Sequence, residues 1–165
     1  MLVAATTRGI CAILFDDGEA ALIAALRARF PAAEIAPAAV DFADRLAEVL
    51  AMIEQPQMAD RLPLDILGTA FQQRIWHALR TIPYGKTASY AQIAERAGAP
   101  EAVRAVAGAC AANPIAVAIP CHRVIRADGN LAGYRWGLKR KQMLLAREAG
   151  TEGVTPPQRS PLRAD

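Results

Sequence analysis

The sequence has no apolar run of the roughly 18 residues that a membrane-spanning helix needs. Its longest uncharged run, residues 105–121, is interrupted by Asn113-Pro114. A secretory signal is absent too, because Arg8 and Asp16-Asp17 break the first apolar stretch and no small-residue cleavage site follows. The sequence therefore predicts a cytoplasmic protein without a membrane partner.

Cysteine and histidine are scarce, with three and two residues respectively. An odd number of cysteines in unrelated surroundings does not indicate a disulfide framework, so we expect reduced thiols. Cys11 and Cys110 lack the neighbours that a tetrahedral metal site requires, and His77 on a helix is more typical of a surface or core residue than of a ligand. We expect no metal and no cofactor.

Charged residues make up 21% of the chain and apolar residues 53%, a balance typical of one compact domain or two small ones in 165 residues. The charge is unevenly distributed. Residues 1–60 contain four basic and nine acidic side chains, a net charge of −5, whereas residues 61–165 contain 15 basic and 7 acidic ones, a net charge of +8. The asymmetry indicates either a second half that faces a polyanion or a basic surface that only solvent covers.

The first 60 residues predict two strands and two helices. Residues 2–5 and 10–15 are predicted to be the two strands of a hairpin. Apolar residues recur at helical spacing over 19–30 and 41–55, which predicts two helices. A two-stranded sheet is marginal by itself, so we expect either a further strand before residue 1 or a sheet that packs against the second half of the chain. Residues 55–63, polar with proline near each end, are the predicted linker.

The second half predicts a helix-turn-helix arrangement. Thr69 and Ser89 each precede a glutamine by three residues, the pattern of a capping box, and Pro100 opens a third helix that extends to about residue 111. Arg104 is the only charged side chain between Glu101 and residue 112. This helix could enter a DNA groove without reading bases, or it could be a buried alanine-rich helix.

The last part of the chain predicts a buried strand over 115–119 and a hairpin that turns at Asp128-Gly129 between 124–126 and 131–136. It also predicts a helix over 138–149 whose apolar face contains Leu138, Met143, Leu144 and Leu145. The tail from residue 151 is predicted to be disordered.

Cys121 follows the predicted strand and precedes His122, which suggests a nucleophile with a base beside it. A buried structural cysteine is the alternative.

The segment Pro120-Cys-His-Arg-Val124 resembles the active-site signature of the O6-alkylguanine-DNA alkyltransferases. Further similarity extends in order and spacing over about residues 3–150, in particular to the alkyltransferase half of bacterial Ada proteins. It includes Gly68-Thr-Ala-Phe-Gln-Gln, Ile82-Pro-Tyr-Gly85, Ser89-Tyr90, Ala102-Val-Arg-Ala-Val106, Asn113, Gly133-Tyr-Arg-Trp-Gly137, Leu144-Leu145 and Glu148.

The resemblance implies a single irreversible transfer of an alkyl group from guanine O6, or less well from thymine O4, in double-stranded DNA to Cys121. His122 would act as base through a water molecule, Glu148 would orient it, and Asn113 would tie the recognition helix to the active-site segment. Tyr90 would assist departure of the purine, and Arg104 would fill the gap left by the extruded base. Ser89 and Arg123 are further predicted DNA contacts, and the predicted substrate pocket contains Cys110, Val124, Tyr134 and Arg135.

The resemblance also implies an α+β fold. Residues 1–60 would form a ribonuclease-H-like subdomain with one strand fewer than its relatives, and residues 61–150 a winged-helix-like subdomain that carries the chemistry. No obligate protein partner is expected. Two other classes stay open: a damage sensor with this fold but without transfer, which the presence of Cys121 disfavours, and a cysteine hydrolase, which would need turnover and an oxyanion hole.

Overall fold

The computed structural model describes residues 1–38 and 42–150. Two strands and two helices come first, then a 3₁₀ turn over Pro56–Arg61, and then a mainly helical second half. The elements are β1 (Leu2–Thr6), β2 (Gly9–Leu14), α1 (Glu19–Arg29), α2 (Phe42–Glu54), α3 (Ala70–Arg80), β3 (Ala88–Ser89), α4 (Tyr90–Arg96), α5 (Val103–Ala111), β4 (Val124–Ile125) and α6 (Leu138–Glu148). The fold is therefore mixed α+β, and none of the described helices has the length and apolar character to span a membrane.

The N-terminal hairpin packs against the second half of the chain, which is one of the two arrangements expected from the sequence. β1 and β2 pair antiparallel, and every residue of β2 is buried. Ile10 forms a parallel bridge to Leu64, and Ile13 forms one to Ile115. Gly9, with φ +154°, permits this approach, because a Cβ there would lie 2.4 Å from the carbonyl oxygen of Pro63.

The helices of the second half start where their local sequence dictates. The capping boxes predicted at Thr69 and Ser89 are both present, and they begin α3 and α4. The fully buried Trp76 of α3 donates its indole hydrogen to the carbonyl of Ala109 in α5 at 2.9 Å. α4 and α5 are separated by a turn at Gly98, whose φ of +68° suits glycine. These contacts fix α5 against α3 and α4.

Two predicted boundaries in this half are wrong. α5 begins at Val103 and not at Pro100. The N–H of Ala102 bonds to the carbonyl of Ala99, so Pro100 and the next residue form a turn before the helix. Residues 131–136 form no strand; β4 pairs instead with β3, in parallel.

The apolar run 115–119 is buried but is not a strand. Only Ile115 pairs, and then Val117 adopts φ +66° while the Ala118 N–H bonds to the Ala116 carbonyl at 2.7 Å. A β-branched residue with positive φ is a strained conformation. An apolar run predicts burial more reliably than it predicts a pairing partner, and here the buried chain turns tightly toward Cys121.

The predicted apolar face of α6 is wrong for Leu138 and Met143, but not for Leu144, which is partly buried against the core. Leu138 is 44% exposed and Met143 is 64% exposed, whereas the buried residues of the helix are Lys141 and Glu148. The helix packs polar side chains against the segment after Pro120, because that segment supplies their hydrogen-bond partners. The tail predicted to be disordered lies outside the described residues.

Candidate active site

Cys121 lies in a short 3₁₀ turn, Cys121–Arg123, and is 4% exposed. Asn113 holds it from the end of α5. The Asn113 side-chain amide donates to the Ile119 carbonyl at 2.8 Å and to the Cys121 sulfur at 3.2 Å, while its oxygen accepts the Ile115 N–H at 2.9 Å. One buried amide therefore fixes both the tight turns and the thiol.

The Cys121 thiol is protonated at neutral pH in this environment. Burial raises its pKa to about 11, although the Asn113 hydrogen bond and the positive charge of Lys141 act in the opposite direction. Because the thiolate is the nucleophilic form, the site needs a base.

His122 is the adjacent base candidate, and it is completely buried. Its Nε2 lies 2.8 Å from Oε1 of Glu148. An ionised carboxylate only accepts hydrogen bonds, so we assign the proton to Nε2, which leaves Nδ1 with a free lone pair. Nδ1 is buried and has no hydrogen-bond partner within the described part of the chain. Burial lowers the pKa of His122 below 6.5, although Glu148 acts in the opposite direction, so the imidazole is a neutral base.

Glu148 is held by four donors. Besides His122, the Arg123 Nε donates to Oε2 at 2.8 Å, the Arg123 Nη2 donates to Oε1 at 3.0 Å, and the Gly85 N–H donates to Oε2 at 3.2 Å. Burial alone would raise the pKa of Glu148, but the hydrogen bonds from His122 and Arg123 outweigh it and hold the pKa at about 2. The carboxylate is therefore ionised and can fix the His122 tautomer.

Arg123 was predicted from the sequence to contact DNA, but its guanidinium is turned inward. The residue is 6% exposed; Nη1 donates to the Ile82 carbonyl at 2.8 Å and the guanidinium lies 5.7 Å from the centre of the Tyr84 ring. With Glu148 as its other partner, Arg123 has little surface left for a phosphate.

A cavity of about 510 Å³ opens beside the thiol. Tyr90 enters it from the start of α4, and burial, reinforced by the Cys110 and Cys121 thiols, raises its pKa to about 12, so the phenol remains a hydrogen-bond donor. Burial also raises the pKa of Tyr134, whose hydroxyl has no partner among the described residues. The lining residues are Tyr90, Ala107, Cys110, Ala111, Cys121, Arg126, Ala132, Gly133, Tyr134 and Arg135.

The structure thus brings Tyr90, Cys110, Tyr134 and Arg135 around Cys121, as predicted. Arg104, Ser89 and the predicted pocket residue Val124 lie outside this lining. Arg104 is exposed near the start of α5, and the Ser89 hydroxyl accepts the Gln92 N–H as the cap of α4. They sit on the two helices that flank the cavity.

The sequence analysis missed Lys141 and the Gly85 N–H. Lys141 is fully buried, and its Nζ donates to the Val124 carbonyl. No periodicity marks it, since it stands in the run Lys139-Arg140-Lys141 that reads as a solvated basic start of a helix. Gly85 lies in the Pro-Tyr-Gly motif, but its bond to Glu148 depends on the tertiary fold.

Comparison with known proteins agrees with this geometry. Residues 70–150 match the family described as 6-O-methylguanine DNA methyltransferase, DNA binding domain. A variant of the Mycobacterium tuberculosis O6-methylguanine methyltransferase has 32% sequence identity and a TM-score of 0.62, over 93% of this chain and 94% of that one. The chain belongs to the O6-methylguanine-DNA methyltransferase family.

Two further members of the methyltransferase family are similar over most of the chain. The bifunctional transcriptional activator/DNA repair enzyme Ada of Escherichia coli is 58% identical over 151 residues, which is 92% of this chain and 43% of Ada. The M. tuberculosis OGT crystallised in complex with DNA is 46% identical with a TM-score of 0.59, over 64% of this chain and 68% of that one. The chain spans about half the length of the curated relatives that it matches.

The matched methyltransferase domain contains every residue of the site. Tyr90, Arg104, Asn113 and the Cys121–Arg123 turn all lie within residues 70–150, and so does Glu148. The N-terminal hairpin lies outside the match and contacts the second half through the bridges of Ile10 and Ile13 and through the shared apolar core.

Proposed function

We propose that this protein repairs DNA by direct reversal, moving a methyl or other alkyl group from O6 of guanine in duplex DNA to the sulfur of Cys121. The observation that carries the proposal is the buried array of Cys121, neutral His122 and ionised Glu148 beside a cavity that could receive a base. The similarity to methyltransferases, one of them in complex with DNA, supports the same reaction.

The proposed transfer needs no cofactor, because the bond formed, the bond broken and the proton are all accounted for. The sulfur forms a bond to the alkyl carbon as the bond from that carbon to O6 breaks. The thiol proton passes through a water molecule to Nδ1 of His122, the buried nitrogen that lacks a protein partner. Tyr90, a neutral phenol, donates a hydrogen bond to the departing purine, and the proton released from the thiol finally resides on guanine. The thioether cannot revert, so each molecule acts once.

The target base must leave the duplex to reach Cys121. Extrusion of a base costs a few kcal/mol and costs less for a mispaired lesion, which favours alkylated guanine over normal bases. We assign Arg104 to the gap in the base stack, because it is the single cation on an exposed helical surface of small residues. Ser89 would contact the backbone from the start of α4. Arg123 is assigned to Glu148 instead of to DNA.

The pocket carries the finer specificity. From the family resemblance, the carbonyls of Cys121 and Val124 would accept the guanine amino group. Cys110, Tyr134 and Arg135, which line the cavity, would close around the base. O4-alkylthymine lacks that amino group, so it should react less well. The subdomain assignment, ribonuclease-H-like for 1–60 and winged-helix-like for 61–150, and action without an obligate protein partner remain predictions.

Intact-protein mass spectrometry tests the proposal. The protein is incubated with excess duplex DNA that contains one O6-methylguanine, alongside Cys121→Ser and Cys110→Ser. We expect one methylene mass to be added at Cys121, in the parent and in Cys110→Ser but not in Cys121→Ser. Cys110→Ser is the matched control, since it removes the other thiol that lines the cavity.

Two outcomes would contradict transfer. Binding of the modified duplex without any gain in mass would favour the damage sensor. Repeated turnover of substrate by each molecule, with Cys121 unmodified at the end, would favour the hydrolase.

A further inference from the structure

Lys141 is a buried cation without a carboxylate partner. Its side chain projects from α6 and is fully buried. Its Nζ donates to the Val124 carbonyl at 2.5 Å and, more weakly, to the Ala132 carbonyl at 3.4 Å. It takes part in none of the salt bridges found among the described residues. A buried charge is costly unless something compensates it, so this lysine is expected to have a function.

The two carbonyls that Lys141 holds connect it to the nucleophile and to the cavity. The Val124 N–H bonds to the Cys121 carbonyl, so the lysine is one hydrogen-bonded turn away from the reacting residue. Ala132 lines the cavity from the segment between β4 and α6. The ammonium group therefore ties the active-site turn to the segment that closes the pocket.

The groups around the Cys121 sulfur leave Lys141 as its principal cation. Neutral Tyr90 faces the thiol from α4, and the Cys110 thiol and the Asn113 amide face it from the α5 side. Two exposed arginines also line the cavity, Arg135 in the closing segment and Arg126, which pairs with Asp128. His122 is neutral, and Arg123 is occupied by Glu148. The positive charge of Lys141 lowers the pKa of Cys121 more than that of Arg135 does. Burial lowers the pKa of Lys141, although the Cys121 and Cys110 thiols act in the opposite direction.

We propose that Lys141 is a positioning residue for alkyl transfer, whose ammonium group holds the Val124 carbonyl in place and stabilises the thiolate of Cys121 as it forms. The inference rests on the proposed function, because it assigns a role within that reaction. The Cys121 proton still leaves through His122. Lys141 supplies a fixed positive charge in a site with few water molecules, where such a charge acts most strongly.

Thiol reactivity as a function of pH tests the charge separately from the DNA reaction. The proteins are treated with iodoacetamide, and modification of Cys121 is followed by peptide mass spectrometry. Lys141→Met removes the charge and the donors, Lys141→Gln retains donors without charge, and Lys141→Arg retains charge. We expect modification of Cys121 between pH 7 and pH 8, where Lys141 carries its charge, to be about tenfold slower in the Met and Gln variants and to stay near the parent rate in the Arg variant.

Two results would overturn the inference. A folded Lys141→Met with the parent pH profile would show that the charge does not reach the thiol. A Gln variant with the parent profile would show that donation to the carbonyls is sufficient without charge. The methyl transfer assay, run in parallel, distinguishes failure of the Lys141 role from failure of the proposed function. If the proposed function is wrong, the parent protein still shows its thiol reactivity but gains no methyl group from DNA.

Discussion

Arg123 holds both carboxylate oxygens of Glu148, with Nε 2.8 Å from Oε2 and Nη2 3.0 Å from Oε1. Both side chains are buried. Removal of one partner of a buried pair leaves an uncompensated charge and costs about 3–5 kcal/mol. We therefore expect Arg123→Met to lower the free energy of unfolding by that amount, measured by urea denaturation.

A control separates this role from a DNA contact. Arg126→Met removes a 64% exposed arginine from its loose pair with Asp128 and should leave stability unchanged. Loss of a phosphate contact would instead reduce the slope of log binding constant against log salt by about 0.9. A stable Arg123→Met with a reduced slope would restore Arg123 to the DNA interface.

Glu148→Gln tests the proton relay formed by Cys121, His122 and Glu148. The amide can donate as well as accept, so it no longer forces the proton of His122 onto Nε2, and the base is present in the wrong tautomer for part of the time. We expect single-turnover methyl transfer to slow by about 100-fold or more, with duplex binding retained. Glu95→Gln, on the exposed side of α4, is the matched control. An unchanged transfer rate in folded Glu148→Gln would remove this residue from the relay.

Arg104→Ala should separate extrusion from chemistry. The exposed arginine is assigned to the gap left by the flipped base, so its loss should slow repair of the duplex far more than reaction with free O6-methylguanine base. Arg96→Ala removes a comparable exposed charge from the end of α4 and controls for general attraction to DNA. Equal losses on duplex and free base would exclude the proposed role.

Local chemistry explains what the sequence made predictable. Both capping boxes are contained within four residues, and Gly98 ends α4 by its own backbone preference, so no tertiary information was required. The Pro-Cys-His-Arg-Val segment indicated the candidate site in another way, through its resemblance to a family signature. The conformation of segments that depend on other parts of the chain was not predicted. Residues 115–119 turn instead of forming a strand because the Asn113 side chain hydrogen-bonds the Ile115 N–H and the Ile119 carbonyl.

The exposure of two long charged side chains was the property least predictable from the sequence. Lys141 and Arg123 are types that are almost never fully buried unless paired, and sequence alone places them on the surface. Their burial depends on carbonyls and a carboxylate supplied from elsewhere in the chain, which no local pattern reveals.

Acid should destabilise the protein through the same site. Burial lowers the pKa of His122 below 6.5, so between the two values the unfolded chain binds more protons than the folded one and stability rises with pH. Glu148, with a pKa of about 2 against 4.5 when free, has the same sign at lower pH. We expect the urea midpoint to fall between pH 7 and pH 5, and to fall less in His122→Asn. A parallel fall in both proteins would show that other groups cause the acid sensitivity.

Gly108 tests whether the exposed side of α5 meets DNA. A Cβ at this exposed position would meet no atom within 4 Å, so Gly108→Ala should stabilise the helix by about 0.5–1 kcal/mol. Gly108→Glu should also favour the helix, but it places bulk and negative charge among the small residues that would lie in the groove, and duplex binding should weaken strongly. Ala47→Glu adds the same charge on the exposed part of α2. Because the net charge of the two glutamate variants is identical, any difference in their duplex affinity reports the position of the charge; equal affinities would mean that α5 does not contact DNA.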